Sequence, residues 1–235
     1  MTKLSTNAPG RTLSGIDRLL SNFDQRLRDL TARSTSSTQG PSRTSPAAGH
    51  TESPLSARDR EHAGGLMRVN HTGEVCAQAL YQGQALVARS EATREKLISA
   101  AQEEADHLAW CEARLNELDT APSRLNPLFY MASFAVGAAT ALAGDKISLG
   151  FVHATEERVA SHLKAHLKAL PGEDRKSQLI LQQMLTDEER HGEEALSQGR
   201  HEFPRPEKDV MTLAGTVMTR TPQMLRTASA APAES

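Results

Sequence analysis

With 235 residues, 27 Lys and Arg against 29 Asp and Glu, and a formal charge of -2, the chain is long enough for one sizeable domain and has no basic excess for nucleic-acid binding. The two cysteines, Cys76 and Cys111, fall in helical seams and read as small reduced core residues rather than catalytic thiols. The first eleven residues contain no apolar run, which argues against a secretory signal and makes the cytoplasmic side the expected location.

In chain order, Ile16, Leu19, Leu20, Phe23, Leu27 and Leu30 lie on one stripe, so residues 15–31 predict an amphipathic helix that docks on the bundle or on another subunit. Residues 32–56 are rich in Ser, Thr, Pro and Gly and read as a flexible linker, which sets residues 1–57 apart from a domain over 58–220. A first bundle helix is predicted over 63–88, with Glu74 on the same face as Asn70, Ala77 and Tyr81. The chain then breaks at Arg89-Ser90, where Ser90 is the expected N-cap of a second helix over 91–118. In that helix Leu97, Ala101, Glu104, Leu108, Cys111, Leu115 and Leu118 step by four and three, the spacing of residues that face a partner helix, so Glu104 occupies a core slot.

Asn126-Pro127 opens a further helix, the Asn expected to cap it and the Pro to take its first turn. No charge occurs between residues 125 and 144. This segment reads as a buried crossover helix or as one that also touches lipid, with Phe129 and Phe134 expected at the lipid. The Asn-Pro start and the mostly small body argue against a full bilayer span. The third bundle helix, over 146–169, has the seam Leu149, Val152, Glu156, Val159, Leu163 and Leu170, which turns Glu156 inward rather than Glu157. Pro171-Gly172 breaks the chain before a fourth helix over 174–200, with Leu181, Met184, Glu188, His191 and Ala195 on its seam. Past Pro204 and Pro206, residues 207–219 predict an additional C-terminal helix, and 221–235 a frayed tail.

Two Glu-x-x-His fragments stand out, Glu104 with His107 and Glu188 with His191. On a helix this spacing brings carboxylate and imidazole to one face, about 5 to 6 Å apart at Cβ. Glu74 and Glu104 lie at matched depths about the break at Ser90, ~22 and ~21 Å along their helices at 1.5 Å per residue. Glu156 and Glu188 are similarly placed about Pro171-Gly172, so the two hairpins form an internal repeat offset by 82 to 84 residues. Four carboxylates and two imidazoles suit two iron or manganese ions better than structural zinc, and one Glu from each of two helices plus Glu-x-x-His from the other two is a known ferritin-like pattern. The seams offer no Lys or Arg to satisfy four buried carboxylates, which disfavours a plain ion-pair network. The expected fold is therefore all-α: a ferritin-like four-helix bundle with a long crossover helix and an additional C-terminal helix.

The runs Leu66-Met-Arg-Val-Asn-His-Thr-Gly-Glu74, Glu103-Glu-Ala-Asp-His-Leu108, Ala154-Thr-Glu-Glu157 and Asp187-Glu-Glu-Arg-His191, in that order, resemble the demethoxyubiquinone hydroxylases of ubiquinone biosynthesis over roughly residues 58–220. The Asn-His-Thr-Gly-Glu run is the most specific of them. The resemblance implies two iron ions per chain, with Glu74, Glu104, His107, Glu156, Glu188 and His191 as metal and catalytic residues, Glu104 and Glu188 bridging. It also implies hydroxylation of a polyprenylated methoxy-benzoquinol with dioxygen and two electrons, at the cytoplasmic side of the cell membrane as a peripheral protein. No Gly-x-Gly-x-x-Gly run is present, so electrons are expected from a partner, from free NADH or through the quinol. A homo-oligomer or a biosynthetic complex is compatible with this reading, and His162 is a candidate neighbour of the metal ligands. The rival classes are an iron-storage or metal-detoxifying bundle, against which the apolar crossover argues, and a lipid carrier with a relic site, against which the intact ligand set argues.

Overall fold

The computed structural model describes Ser21, residues 41–52 and residues 54–199. The expected N-terminal amphipathic helix, apart from Ser21, the C-terminal helix over 207–219 and the tail lie outside the described residues. Within them the chain forms five helices and no strand: α1 (Ala57–Val87), α2 (Glu91–Glu117), α3 (Asn126–Ala143), α4 (Asp145–Ala169) and α5 (Arg175–Gly199). Helices α1 and α2 form one hairpin and α4 and α5 the other; α2 packs on α5 and α1 on α4, and the crossover α3 runs along α1. This is the all-α bundle with a crossover helix expected from the seams.

Local chemistry sets the helix ends. Ser56 caps α1 by accepting from the Asp59 amide at 3.1 Å, which starts this helix earlier than the apolar pattern does. Ser90 caps α2 as expected, accepting from the Thr93 amide at 3.4 Å. The cap expected at Asn126 is corrected: Leu125 holds the N-cap position without a side-chain bond, and Asn126 is the buried first residue of α3. Its amide is spent across the bundle on α1, as described below. Gly144, at φ 127° and ψ 155°, lets α3 turn directly into α4 in a conformation open essentially to glycine alone. Asp145, at the start of α4, accepts from the Arg89 and Ser90 amides at 3.0 and 2.9 Å, tying the crossover to the first hairpin's turn.

Helices α1 and α3 approach backbone to backbone. A Cβ at Gly83 would collide with the Phe134 carbonyl, and one at Gly137 with the Leu80 carbonyl. On α3 the residues Phe129, Tyr130, Ser133, Gly137 and Ala141 are buried, whereas Leu128, Met131, Val136 and Leu142 are exposed. The expectation that Phe129 and Phe134 face lipid is therefore corrected. Both aromatic rings lie on the α1 side, Phe129 buried and Phe134 packed against Val75, Ala79, Leu108 and Tyr130.

Two apolar clusters lie along the four-helix bundle, beside a third that joins α1 and α2 to α3. One cluster joins Leu66, Met67, Trp110, Cys111, Leu163, Leu181 and Met184; the other joins Tyr81, Ala85, Leu97, Ala101, Val152 and Ala195. Every bundle helix contributes to both, and between its two contributions carries Glu74, Glu104 with His107, Glu156, or Glu188 with His191. The six polar residues thus form one layer with hydrophobic core on either side.

Residues 41–52, read from composition as flexible linker, fold back on the bundle instead. Ala47 joins the first core cluster, Glu52 pairs with Arg114 at 2.6 Å, and Ser42 and Arg43 bind Asp106 of α2. Composition missed this because the segment is held by single polar contacts and one small apolar residue.

Candidate metal centre

Glu74, Glu104, His107 and Glu188 each present a ligand atom within 4.8 Å of the others, and all four are buried. His107 aims Nδ1 at three carboxylates, 3.0 Å from Glu104, 3.2 Å from Glu188 and 3.4 Å from Glu74. His191 aims its Nδ1 at the same layer, 3.4 Å from Glu104 and 3.6 Å from Glu188. Glu156 contacts Glu188 and accepts a short hydrogen bond from the Tyr81 hydroxyl, while Glu157 next to it is exposed. All six sequence-predicted residues therefore meet at one level of the bundle, from four helices.

The layer is electrostatically unfinished as a protein-only structure. Glu74 Oε2, Glu104 Oε1, Glu156 Oε2, both Glu188 carboxylate oxygens and His191 Nδ1 are buried without a hydrogen-bond partner. Among the described residues no Lys or Arg pairs with any of the four carboxylates. Burial, together with the neighbouring Glu104 and Glu188 charges, pushes Glu74 well above the usual carboxylate range, and burial beside Glu188 does the same to Glu156. Burial also works upward on Glu104, but the adjacent His107 and His191 overcome it and hold this carboxyl below its usual range. Four buried carboxylates share two imidazoles and no Lys or Arg, an excess of negative charge and of orphaned oxygens that a bound cation would offset. Oxygen-rich ligation with two imidazoles fits iron or manganese rather than a thiolate metal. On these grounds the residues fit a metal.

The outer faces of the two imidazoles are held reciprocally. His107 Nε2 lies 2.9 Å from Asp187, the residue before Glu188, and His191 Nε2 lies 3.4 Å from Glu103, the residue before Glu104. Each Glu-x-x-His fragment thus supplies the acid that holds the other fragment's histidine. Asp187 and Glu103 were not singled out in the sequence, although the acid before each fragment belongs to the same repeat. Such partners fix the imidazole's orientation and tautomer, leaving Nδ1 free as a ligand. Asp187 is held down to about 2: burial works against this, and His107 and Arg43 outweigh it.

The Asn-His-Thr-Gly-Glu run has a structural account. Asn70 bonds His166 of α4 at 2.9 Å, His71 bonds Asn126 of α3 at 3.2 Å, and Thr72 lies 3.0 Å from the same Asn126. Three consecutive side chains fasten α1 to two neighbours just before Glu74 enters the layer. His162 packs on His166 with ring centres 3.9 Å apart and the rings tilted by 55°, and its buried Nε2 has no hydrogen-bond partner.

Comparison with known proteins agrees with this arrangement. The family model for ubiquinone biosynthesis protein COQ7 matches residues 61–222, which contain all six residues of the layer. A curated relative from Azotobacter vinelandii, named 3-demethoxyubiquinol 3-hydroxylase, is 55% identical over 210 residues, covering 89% of this chain and 96% of its own length. Relatives of the same name from Pseudomonas fluorescens and Acinetobacter baylyi are 53% and 52% identical, covering 89% and 90% of this chain and 96% and 98% of their own lengths. The chain belongs to the family of ubiquinone biosynthesis protein COQ7.

Proposed function

We propose that the protein is a 3-demethoxyubiquinol 3-hydroxylase, an oxygen-dependent monooxygenase with two iron ions per chain. The observation that carries this is the buried layer of carboxylates with orphaned oxygens, in a chain over half identical to proteins of that name across most of their length. Glu74, Glu104 and His107 on one hairpin and Glu156, Glu188 and His191 on the other would hold the metals. When bound, the iron pair supplies the two-electron activation of dioxygen that ring hydroxylation needs. The protein's own part is to hold both imidazoles by Nε2 through Asp187 and Glu103 with Nδ1 aimed inward, to hold Glu156 through the Tyr81 hydroxyl, and to seal the layer from water between two apolar clusters.

The substrate is a polyprenylated benzoquinol, and the exposed apolar side of α3 supports delivery from a membrane. Leu128 and Leu142 are each 64% exposed, on a charge-free helix of 18 residues. A helix with one buried and one exposed apolar side suits a peripheral position at the cytoplasmic face of the cell membrane. The electrons come from free NADH, from a partner protein or through the quinol itself.

The test is turnover of demethoxyubiquinol by iron-loaded protein under ¹⁸O₂ with a reductant. One ¹⁸O atom in the new ring hydroxyl is expected. Unlabelled product, or no product with iron bound, would refute the assignment.

A further inference from the structure

The two Glu-x-x-His fragments differ at both intervening positions, Ala105 against Glu189 and Asp106 against Arg190, and the second difference reaches the imidazoles. Residues 103–107 and 187–191 correspond at an offset of 84, which matches Glu103 with Asp187, Glu104 with Glu188 and His107 with His191, but sets Asp106 against Arg190. Arg190 has a clear task in its own half. Its guanidinium pairs with Glu103 at 2.5 Å and with Glu194 at 3.1 Å and lies 3.3 Å from His191 Nε2, so it braces the acid that holds His191, and it reaches Asp187 only at 3.9 Å. The other half needs the same brace for Asp187 and His107, and the residue in the corresponding place is an acid.

The brace comes from outside the bundle. Arg43 pairs with Asp187 at 2.9 Å and lies 3.2 Å from His107 Nε2, reproducing both contacts of Arg190. Asp106 is what brings it there. This carboxylate is buried, 1% exposed, accepts from the Ser42 amide and hydroxyl at 2.6 and 2.7 Å, and pairs with Arg43 Nε at 3.1 Å. The guanidinium also sits 4.9 Å above the Trp110 ring, whose Nε1 donates to the Arg43 carbonyl at 3.2 Å.

We infer that Arg43, recruited by Asp106, is a positioning residue for His107, so that the segment before α1 completes one of two metal half-sites that the bundle completes for itself in the other. Guanidinium has the fork geometry to bind two carboxylates and remain beside an imidazole, and lysine can supply the charge but not the fork. The consequence is selective. Removing Arg43 loosens the His107 half, and removing Arg190 loosens the His191 half.

This rests on the two-metal reading and is tested with cobalt(II) alone, titrated anaerobically into metal-free full-length protein. Cobalt absorbance counts the ions, and fluorescence of Trp110, the chain's single tryptophan, with its ring centre 5.4 Å from that of His107, marks filling of that half. Wild type is expected to bind two ions. Arg43→Gln should weaken the step that quenches Trp110 by about ten- to a hundredfold, the range for lost partners of metal-bound histidines, and leave the other step unchanged. Arg43→Lys should recover part of the loss, and Arg190→Gln should weaken the step that leaves Trp110 unquenched. Circular dichroism of each metal-free variant checks that the bundle remains folded. Wild type binding fewer than two ions would overturn the two-metal reading and this inference with it. Two ions in wild type with Arg43→Gln titrating identically, or with both steps weakened alike, would overturn the inference alone.

Discussion

Glu156 and Glu157 are neighbours with opposite fates, one 1% exposed in the polar layer and the other at the surface. Helical periodicity alone separated them, because a one-residue shift turns a side chain about 100° around the helix. Glu156→Ala should therefore reduce bound metal from two ions, while Glu157→Ala leaves it unchanged by elemental analysis; equal metal content in both would place the ligand elsewhere. Periodicity identified the residues facing the layer but not those that reach it from the side. Asp187 and Glu103 act across helices, and side-chain reach is not written in spacing. A second residue-scale consequence concerns His71, which burial lowers from 6.5 to about 4. Its neutral ring accepts from Asn126, a bond that protonation would remove. The unfolded chain takes up this proton first, so the contribution is full above about pH 6.5 and is lost as pH falls to about 4. It amounts to about 3 kcal/mol at most. Urea denaturation of metal-free protein across that window should show His71→Gln losing less stability than wild type as pH falls; identical pH dependence in the two would mean that His71 does not contribute.

Among the elements, α3 combines an unusually close inner contact with an apolar outer side. Gly83 and Gly137 meet opposing carbonyls rather than flexible side chains, so neither neighbour yields easily to a methyl group. Alanine at either site gains helix propensity worth about 1 kcal/mol but meets overpacking that costs about 1 to 3 kcal/mol. Gly83→Ala and Gly137→Ala should each lower the thermal midpoint, and a raised midpoint would show that α3 is free to move away. The outer side was legible as composition but not as orientation. Without the structure the large aromatics were the natural choice for lipid contact, yet Phe129 and Phe134 are spent against α1 and the shorter Leu128, Met131 and Leu142 point outward. Replacing these three with Ser should release the protein from phosphatidylglycerol-containing vesicles in a flotation assay without changing its metal content. Undiminished flotation would mean that this side of α3 serves another purpose.

At the scale of the whole molecule, two hairpins with the same internal order place an ionisable layer between two apolar clusters. Hairpin topology and the level of the ligands followed from two helix breaks and a period, since 1.5 Å per residue fixes depth once the turn is known. The docking of residues 41–52 did not follow, because Ser, Pro and Gly composition describes a chain's freedom and not the single buried Asp106 that ends it. In the proposed two-metal reading the layer is a metal site built into the core, where burial of four carboxylates is offset by the ions they bind. Metal that binds only the native state adds about 2.7 kcal/mol when its free concentration is a hundredfold above the dissociation constant. Protons compete for the same oxygens, and burial has already raised Glu74 and Glu156, so this gain should shrink as pH falls. The most direct measurement is the thermal midpoint of metal-free protein with and without anaerobic ferrous iron at a series of pH values. A metal layer in the core should give a clear rise near pH 7 that diminishes toward pH 5 and is blunted in Glu104→Gln. A midpoint indifferent to iron at pH 7, with the metal shown to be bound, would contradict it.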